Sequence, residues 1–435
     1  MSLPTSQIPP QSPSHSLPSR ERPMLLASDV SAGHEPLRRP TAFSPRVLII
    51  GGGVTGLITA WLLLDAGLHV TIASKEWATF GTQQRLTSQI AGALWELPPA
   101  GCGPQAVQTK LEMVQKWALE SLEVFCAIAE QEELAKAFGV QIKMCTSFHT
   151  NKIVDDVVKS KKMELVLRSK LKGFHWGMDL AKKYGANVSS HGGLKDAYEH
   201  VAPVIDTDVG MSFLMRLVRS KGAKFYTDTI HGDLRDHEQH LLRTYQADVI
   251  VNATGVMGNE TAADDSVYPL RGAVLRVIND GSDFPRITNS MLVSTESRAD
   301  GNFRDMAFIV PRNDDVLILG SITQPHQSQL DLTPDSPDIK EMRSRCEDLI
   351  PALKKARVHP AYPLAQGTRP YRTTNVRVER EHRPGSTGGL SQIVHAYGHG
   401  GAGWSLAFGS ARECVRLVEE VIQTTKAEPQ LRAKI

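Results

Sequence analysis

The chain reads as an α/β protein with two sheet domains interleaved in sequence, and three stretches predict this. Residues 46–74 run strand, glycine turn, helix, strand, and residues 248–255 form a hydrophobic strand that ends in Asn252-Ala253-Thr254-Gly255. From Pro269 onward, strand patterns dominate. The first two stretches suit one parallel sheet with helices on its faces, and the third suits a separate mixed sheet packed beside it.

Arg46 to Ile50 is a continuous β-branched and aliphatic run, as expected of a strand buried on both faces. Gly51, Gly53 and Gly56 then fill a G-x-G-x-x-G frame, with Val54 and Thr55 between the last two. In that frame the first glycine makes the tight turn, the second lets backbone approach a pyrophosphate, and the third lets the helix pack on the strand. The helix is predicted over 57–66, stopping at Gly67 in a left-handed cap, and 69–73 is the second strand. This context makes the domain Rossmann-like and implies a phosphate-bearing nucleotide. The acidic residue that usually ends the second strand and holds the ribose is replaced by Ser74, with Lys75 and Glu76 beyond it.

At 435 residues and 41% apolar, the chain is long enough for two subdomains with a sizeable core. A formal charge of +2 provides no basic field for nucleic acid. The longest apolar run, 57–64, is too short to span a bilayer, so no membrane segment is expected. The five cysteines are scattered and never form C-x-x-C, which argues against a disulfide framework or zinc site and favours a reducing compartment. Residues 1–45 are rich in Pro and Ser and read as a disordered tail. The final Ala433-Lys434-Ile435 approximates a peroxisomal address, so the expected location is intracellular, cytoplasmic or peroxisomal.

The segment 86–95 carries small residues, Ala91, Gly92 and Ala93, that let backbone lie flat against a planar ligand, and Thr87 and Ser88 offer hydroxyls to phosphate. A helix is predicted over 105–131, and 140–193 mixes short strand-like runs with the basic stretch 159–162, a solvated surface by default. Further helices are expected over 211–220, 340–353 and 405–421, and strands over 223–226, 272–277, 306–310 and 316–319. Arg369, Arg372, Arg377 and Arg380 cluster in 368–381, with Glu379 and Glu381 as ion-pair partners. His395 and His399 lie four apart with glycines between, which suits turn histidines better than a helical metal site, and Gly400, Gly401, Ala402, Gly403 and Trp404 form a second glycine turn before a helix.

Four blocks, VLIIGGGVTGL, TSQIAGALW, VNATG and YGHGGAGW, occur in order, with RPYR and VRVERE between the last two. In this the chain resembles the FAD-dependent D-amino-acid oxidase family over most of 46–421. The resemblance implies noncovalent FAD, with Gly51, Gly53 and Gly56 at its pyrophosphate. Val54, Thr55, Ser74, Thr87, Ser88, Gly92, Ala93, Leu94, Gly255 and the 400–404 turn would also contact the cofactor. It implies that Arg372, the second arginine of RPYR, pairs with a substrate carboxylate, that the Gly401 carbonyl takes the amine, and that hydride passes to flavin N5 before oxygen reoxidises the flavin to give peroxide. Two family tyrosines that face substrate are replaced by Phe308 and Arg304. Loss of the hydroxyl at Phe308 removes a hydrogen bond of roughly 1.5–3 kcal/mol, and Arg304 could add a cation for an acidic substrate.

The expected domains follow: 46–104, 202–262 and 366–425 bind FAD, 105–201 and 263–365 form the substrate domain, and 426–435 is a C-terminal tail. The expected function is oxidation of the C–N bond of a D-amino acid or related amine with molecular oxygen. The alternatives are a D-aspartate-type oxidase, a flavin dehydrogenase for a specialised amine, and a non-catalytic FAD-binding sensor or scaffold.

Overall fold

A central strand, Arg46–Ile50, is paired on both edges, in parallel with His69–Ser74 and with Val249–Asn252. Ile393–Tyr397 and Lys224–Thr227 extend this sheet in parallel, and Arg377–Arg380 closes one edge antiparallel, giving six strands. The computed structural model describes residues 25–82, 84–99, 108–169, 171–294, 306–384 and 390–432. The glycine-turn helix runs Val54–Asp65, starting earlier than its apolar run because Val54 to Gly56 join the first turn, and Gly67 follows at φ +87°. Helices Thr207–Ser220 and Ala407–Arg432 share its face of the sheet, where Trp61, Phe138, Phe213 and Phe408 pack ring against ring. Each such fully buried aromatic contributes roughly 1.5–3 kcal/mol by burial. Helix Leu234–Tyr245 covers the other face, against Leu48, Ile50 and Ile250.

The second sheet has nine strands, mostly antiparallel. Its long member Val267–Ile278 pairs with Leu364–Arg372 on one edge and with Val316–Gly320 and Gln324–Pro325 on the other. Ala307–Pro311, Ser290–Ser294, Val140–His149, Asp196–Ile205 and His175–Trp176 continue the sheet. Helix Pro337–Leu349 fills one face with Ile339, Met342 and Cys346, which leaves the opposite face for the first domain.

Several expectations are corrected by this arrangement. The expected disordered tail is ordered from residue 25: short strands Leu25–Ala27 and Val30–Ser31 pair, and the Ser31 and Leu37 amides donate to the buried Asp65 carboxylate at 2.9 and 3.0 Å. Composition hid this because the anchors, Asp65 and Trp61 on the helix Val54–Asp65 with Lys221 and Arg412 elsewhere, are distant in sequence. Helix Gln108–Ala129, expected in the substrate domain, bridges the two: Val124, Phe125 and Ile128 enter the first domain's core beside Phe408, while Val114, Trp117, Ala118 and Leu122 pack with Cys145, Ala202 and Val204 of the second sheet. Residues 202–205 and 366–372, expected in the FAD domain, are strands of the second sheet. Within 140–193 a ten-residue strand, Val140–His149, replaces the short runs, and the basic stretch lies on helix Val157–Arg168, where Lys162 is enclosed against Glu96. The last helix continues to Arg432, through most of the expected C-terminal tail. Residues 1–24, Arg304 and Ala433 to Ile435 lie outside the described residues. Among the described residues, no helix is long and apolar enough to cross a membrane.

Candidate active site

Between the two sheets lies a cavity of about 490 Å³, walled by the two glycine turns and the 87–94 segment on one side and by Val274, Leu292, Phe308 and Arg369 on the other. The first turn is pressed against the exit of Val249–Asn252. Gly51 has φ +122°, and a Cβ there would stand 2.3 Å from the Ala253 carbonyl oxygen, so only glycine meets both demands. Its amide donates to Ala73 O at 2.8 Å. Gly53 caps the twelve-residue helix, and Gly53, Val54 and Thr55 line the cavity at the positive end of the helix dipole. Gly56 does not line it. A Cβ at Gly56 would stand 2.0 Å from Gly51 O, so this glycine works in helix packing and is corrected from cofactor contact to support.

Ser74 reaches the cavity wall, but its hydroxyl is used within the turn: Oγ accepts from the Gly52 amide at 3.1 Å and donates to Glu76 O at 2.7 Å. The charged groups at this end are Lys75 and Glu76, both lining the cavity. Gly255 lines it beside Thr254, whose hydroxyl bonds Asn252 at 2.8 Å.

Along the middle, Thr87 Oγ1 donates to Thr368 O at 3.0 Å, and Ser88 Oγ accepts from the Val54 amide at 3.0 Å, which joins the cradle to the glycine turn. Gly92, Ala93 and Leu94 follow along the wall, with the Phe308 ring directly over Gly92. Behind them sits a residue that sequence patterning missed. Arg312, 2% exposed, donates to Ala91 O at 2.5 Å, Ile205 O at 3.1 Å and Thr207 Oγ1 at 2.6 Å. Burial lowers its pKa to about 10, and the carbonyls compensate for desolvation, so a second-domain arginine fixes the first-domain cradle. An arginine after a strand carries no sequence signal for such a role.

In the second glycine turn the Gly400 amide donates to Pro370 O at 2.9 Å, and Trp404 Nε1 donates to Ser88 O at 2.8 Å, so the turn is tied to the second sheet and to the 87–94 segment. Gly400, Gly401, Ala402, Gly403 and Trp404 all line the cavity, and the helix behind them starts at Ala407, later than expected. His399 lies in this turn with Nε2 3.1 Å from Ser410 Oγ, and burial pushes it down to about 4. His395 is instead in the strand Ile393–Tyr397, buried between Asn252 and Glu381, which corrects its turn assignment. Among the described residues, no group of His, Cys, Asp or Glu could hold a metal.

The arginines sort by strand geometry. Arg369 and Arg372 are three apart on Leu364–Arg372, an odd separation that puts their side chains on opposite faces. Arg369 lines the cavity, its guanidinium donating to Ile322 O at 3.0 Å and Ser321 Oγ at 2.6 Å. Gly272, across the ladder, makes room for it: a Cβ there would stand 2.1 Å from Arg369 Nη1. Arg372 does not line the cavity. It donates to Asp264 Oδ2 and Asn375 O, both at 2.8 Å, and this corrects the expectation that it faces substrate. Arg377 joins the same cluster through Tyr397 and Glu379, and Arg380 bonds Ser391 O and Thr424 in place of a surface ion pair.

A glycine turn at a helix N-terminus, followed by a slot whose one wall is built of small residues, fits FAD: the first suits a pyrophosphate and the second a flat ring system. A family model described as FAD dependent oxidoreductase matches residues 46–417. Among curated proteins the chain is 29% identical to a D-amino-acid oxidase of Rubrobacter xylanophilus over 376 residues, 86% of this chain and 95% of that one. It is also 29% identical to a D-amino-acid oxidase of Streptomyces coelicolor over 374 residues, 85% and 96% of the two chains. Among solved structures, glycine oxidase from Geobacillus kaustophilus superposes with a TM-score of 0.64 at 18% identity, covering 87% of this chain and 95% of that one, a likeness of fold.

Proposed function

This chain belongs to the DAO family of FAD-dependent oxidoreductases, with FAD as its cofactor, and on that premise we propose that it oxidises the C–N bond of a D-amino acid. The observation that carries this reading is the placement of one arginine, Arg369, in the same cavity as the Gly400–Gly403 turn and the Gly92 cradle. A guanidinium is a planar fork suited to a carboxylate, and Arg369 keeps donor capacity beyond its two bonds to the second sheet. The site residue proposed to receive the carboxylate is therefore Arg369, in place of Arg372.

FAD supplies the acceptor for a hydride from the substrate Cα and, through molecular oxygen, the route to peroxide. The chain's own share is binding and positioning. Arg369 fixes the carboxylate, the Gly401 carbonyl accepts a hydrogen bond from the amine, and Phe308 over Gly92 closes the apolar side against water. Arg312 holds the Ala91 carbonyl and with it the cradle's alignment. The test is anaerobic reduction of the flavin by a panel of D-amino acids, L-amino acids and amines, followed by peroxide detection in air. Bleaching of the flavin band by D-amino acids and peroxide release support the proposal. Bleaching without peroxide points to a dehydrogenase, and no bleaching by any carboxylate-bearing amine contradicts the role of Arg369.

A further inference from the structure

Glu96 follows the cradle directly and lines the same cavity as Arg369 and Phe308. Its amide donates to Ser405 Oγ at 3.3 Å, which ties it to the second glycine turn. One carboxylate oxygen, Oε1, accepts from Lys162 Nζ at 2.7 Å, and the same ammonium donates to Pro99 O at 2.9 Å. The lysine is the more enclosed partner: its side chain is 14% exposed against 26% for Glu96, and it does not line the cavity. The pair therefore presents its acid to the cavity and hides its base. Burial works most strongly against a charged Lys162, yet the Glu96 carboxylate together with Tyr198 holds the ammonium above its ordinary pKa. Among the described residues, Oε2 of Glu96 accepts no hydrogen bond.

The other ionised groups on the cavity wall are accounted for. Lys75 and Glu76 follow the strand His69–Ser74 and belong to the glycine-turn end, and Arg85 is paired with Asp208. Among the described residues, what remains is one cation, Arg369, and one anion, Glu96, in a cavity also lined by Leu94, Leu292, Met306 and Phe308. An enclosed ion pair adds little to stability over well-packed apolar residues, so stability alone does not account for an acid on a cavity wall. Resting on the amino-acid oxidase reading, we propose that Glu96 is the side-chain specificity residue, selecting substrates whose side chain ends in a cation such as an ammonium or guanidinium. Acidic side chains are disfavoured by the same carboxylate, which argues against a D-aspartate-type preference.

The experiment compares the holoenzyme with its Glu96→Gln variant in anaerobic flavin reduction by D-lysine and by D-norleucine, which has the same chain length without the ammonium. Wild type is expected to favour D-lysine by about tenfold or more, and Glu96→Gln to lose about that factor in the ratio, as one charge-assisted hydrogen bond commands. A ratio equal in both proteins overturns the proposal, including the case where Glu96 serves the α-amino group and both substrates fall together. A second readout needs no turnover: 6-aminohexanoate and hexanoate are titrated against the flavin absorbance spectrum. Tighter binding of the amino compound to wild type, lost in Glu96→Gln, supports the role of Glu96 even where no amine reduces the flavin, an outcome that would sink the oxidase reading alone. If Glu96→Gln does not retain flavin, Glu96→Asp keeps the charge and the pair, and an unshifted ratio and spectrum there, with equal affinity of wild type for the two hexanoates, overturn the proposal.

Discussion

Phe308 lies so close over Gly92 that a Cβ on Gly92 would stand 2.2 Å from the Phe308 ring carbon Cε1. The two residues come from different domains, and their contact sets the width of the slot that FAD fits. Gly92→Ala must displace either the ring or the cradle. We expect it to weaken FAD binding about tenfold or more, equivalent to roughly 1.4 kcal/mol, measured by flavin release on dilution. The double variant Gly92→Ala, Phe308→Ala should regain part of that loss, and no recovery would place the defect elsewhere.

Gly51 carries two constraints at once, a positive φ and contact with the Ala253 carbonyl, which is backbone and cannot swing aside. Gly51→Ala should cost about 2 kcal/mol or more through strain and displacement, and the purified protein should be colourless. A yellow variant with an unchanged denaturation midpoint would refute this account of the turn.

The N-terminal segment is held most deeply by one buried acid, with Trp61 donating to Ser31 O, Lys221 to Glu35 O, and Arg412 paired to Asp29. Asp65 accepts hydrogen bonds from Ser31, Leu37 and Trp61 and pairs with Lys221 Nζ at 2.6 Å, with both charged side chains fully enclosed. Removing one partner of such a pair costs about 3–5 kcal/mol. Asp65→Ala is therefore expected to lower the urea midpoint sharply and to make residues 25–45 sensitive to limited proteolysis. Protease resistance equal to wild type would show that Asp65 is not the anchor.

Stability should fall in mild acid. Burial holds His399 at about 4, below its unfolded value near 6.5. The folded protein thus binds fewer protons than the unfolded chain between about pH 4 and 6.5, and stability rises with pH across that window and levels off above it. His399 alone contributes on the order of 3 kcal/mol over the window. His149, buried and pushed down to about 3, acts in the same direction. His399→Gln should flatten the dependence of the urea midpoint on pH without abolishing it, and an unchanged slope would contradict the burial argument.

The sequence made the first sheet and both glycine turns legible because each depends on local chemistry: an apolar run, a glycine frame, a cap. The anchoring of residues 25–45 was not legible, since a Pro- and Ser-rich segment gains its order from partners distant in sequence: Asp65, Trp61, Lys221 and Arg412. Nor was the membership of helix Gln108–Ala129, because an amphipathic stripe does not say which core it meets. Family resemblance pointed to Arg372 of RPYR, whereas the arginine of that motif that lines the cavity is Arg369. Strand alternation decides between Arg369 and Arg372, and that required knowing that the segment is a strand whose register sets Arg369 beside Gly272. Arg312 and the Glu96–Lys162 pair were invisible for the same reason: their partners lie far away in sequence.

The most direct test of the account is substrate saturation of anaerobic flavin reduction in Arg369→Ala and Arg372→Ala, with the best D-amino acid found in the panel. Loss of a charged, forked hydrogen bond should raise the half-saturating concentration about a hundredfold or more in Arg369→Ala. Arg372→Ala should saturate within a few-fold of wild type and show its defect in the denaturation midpoint, because its partner is Asp264. The reverse pattern, with saturation lost in Arg372→Ala and kept in Arg369→Ala, would contradict the site described here.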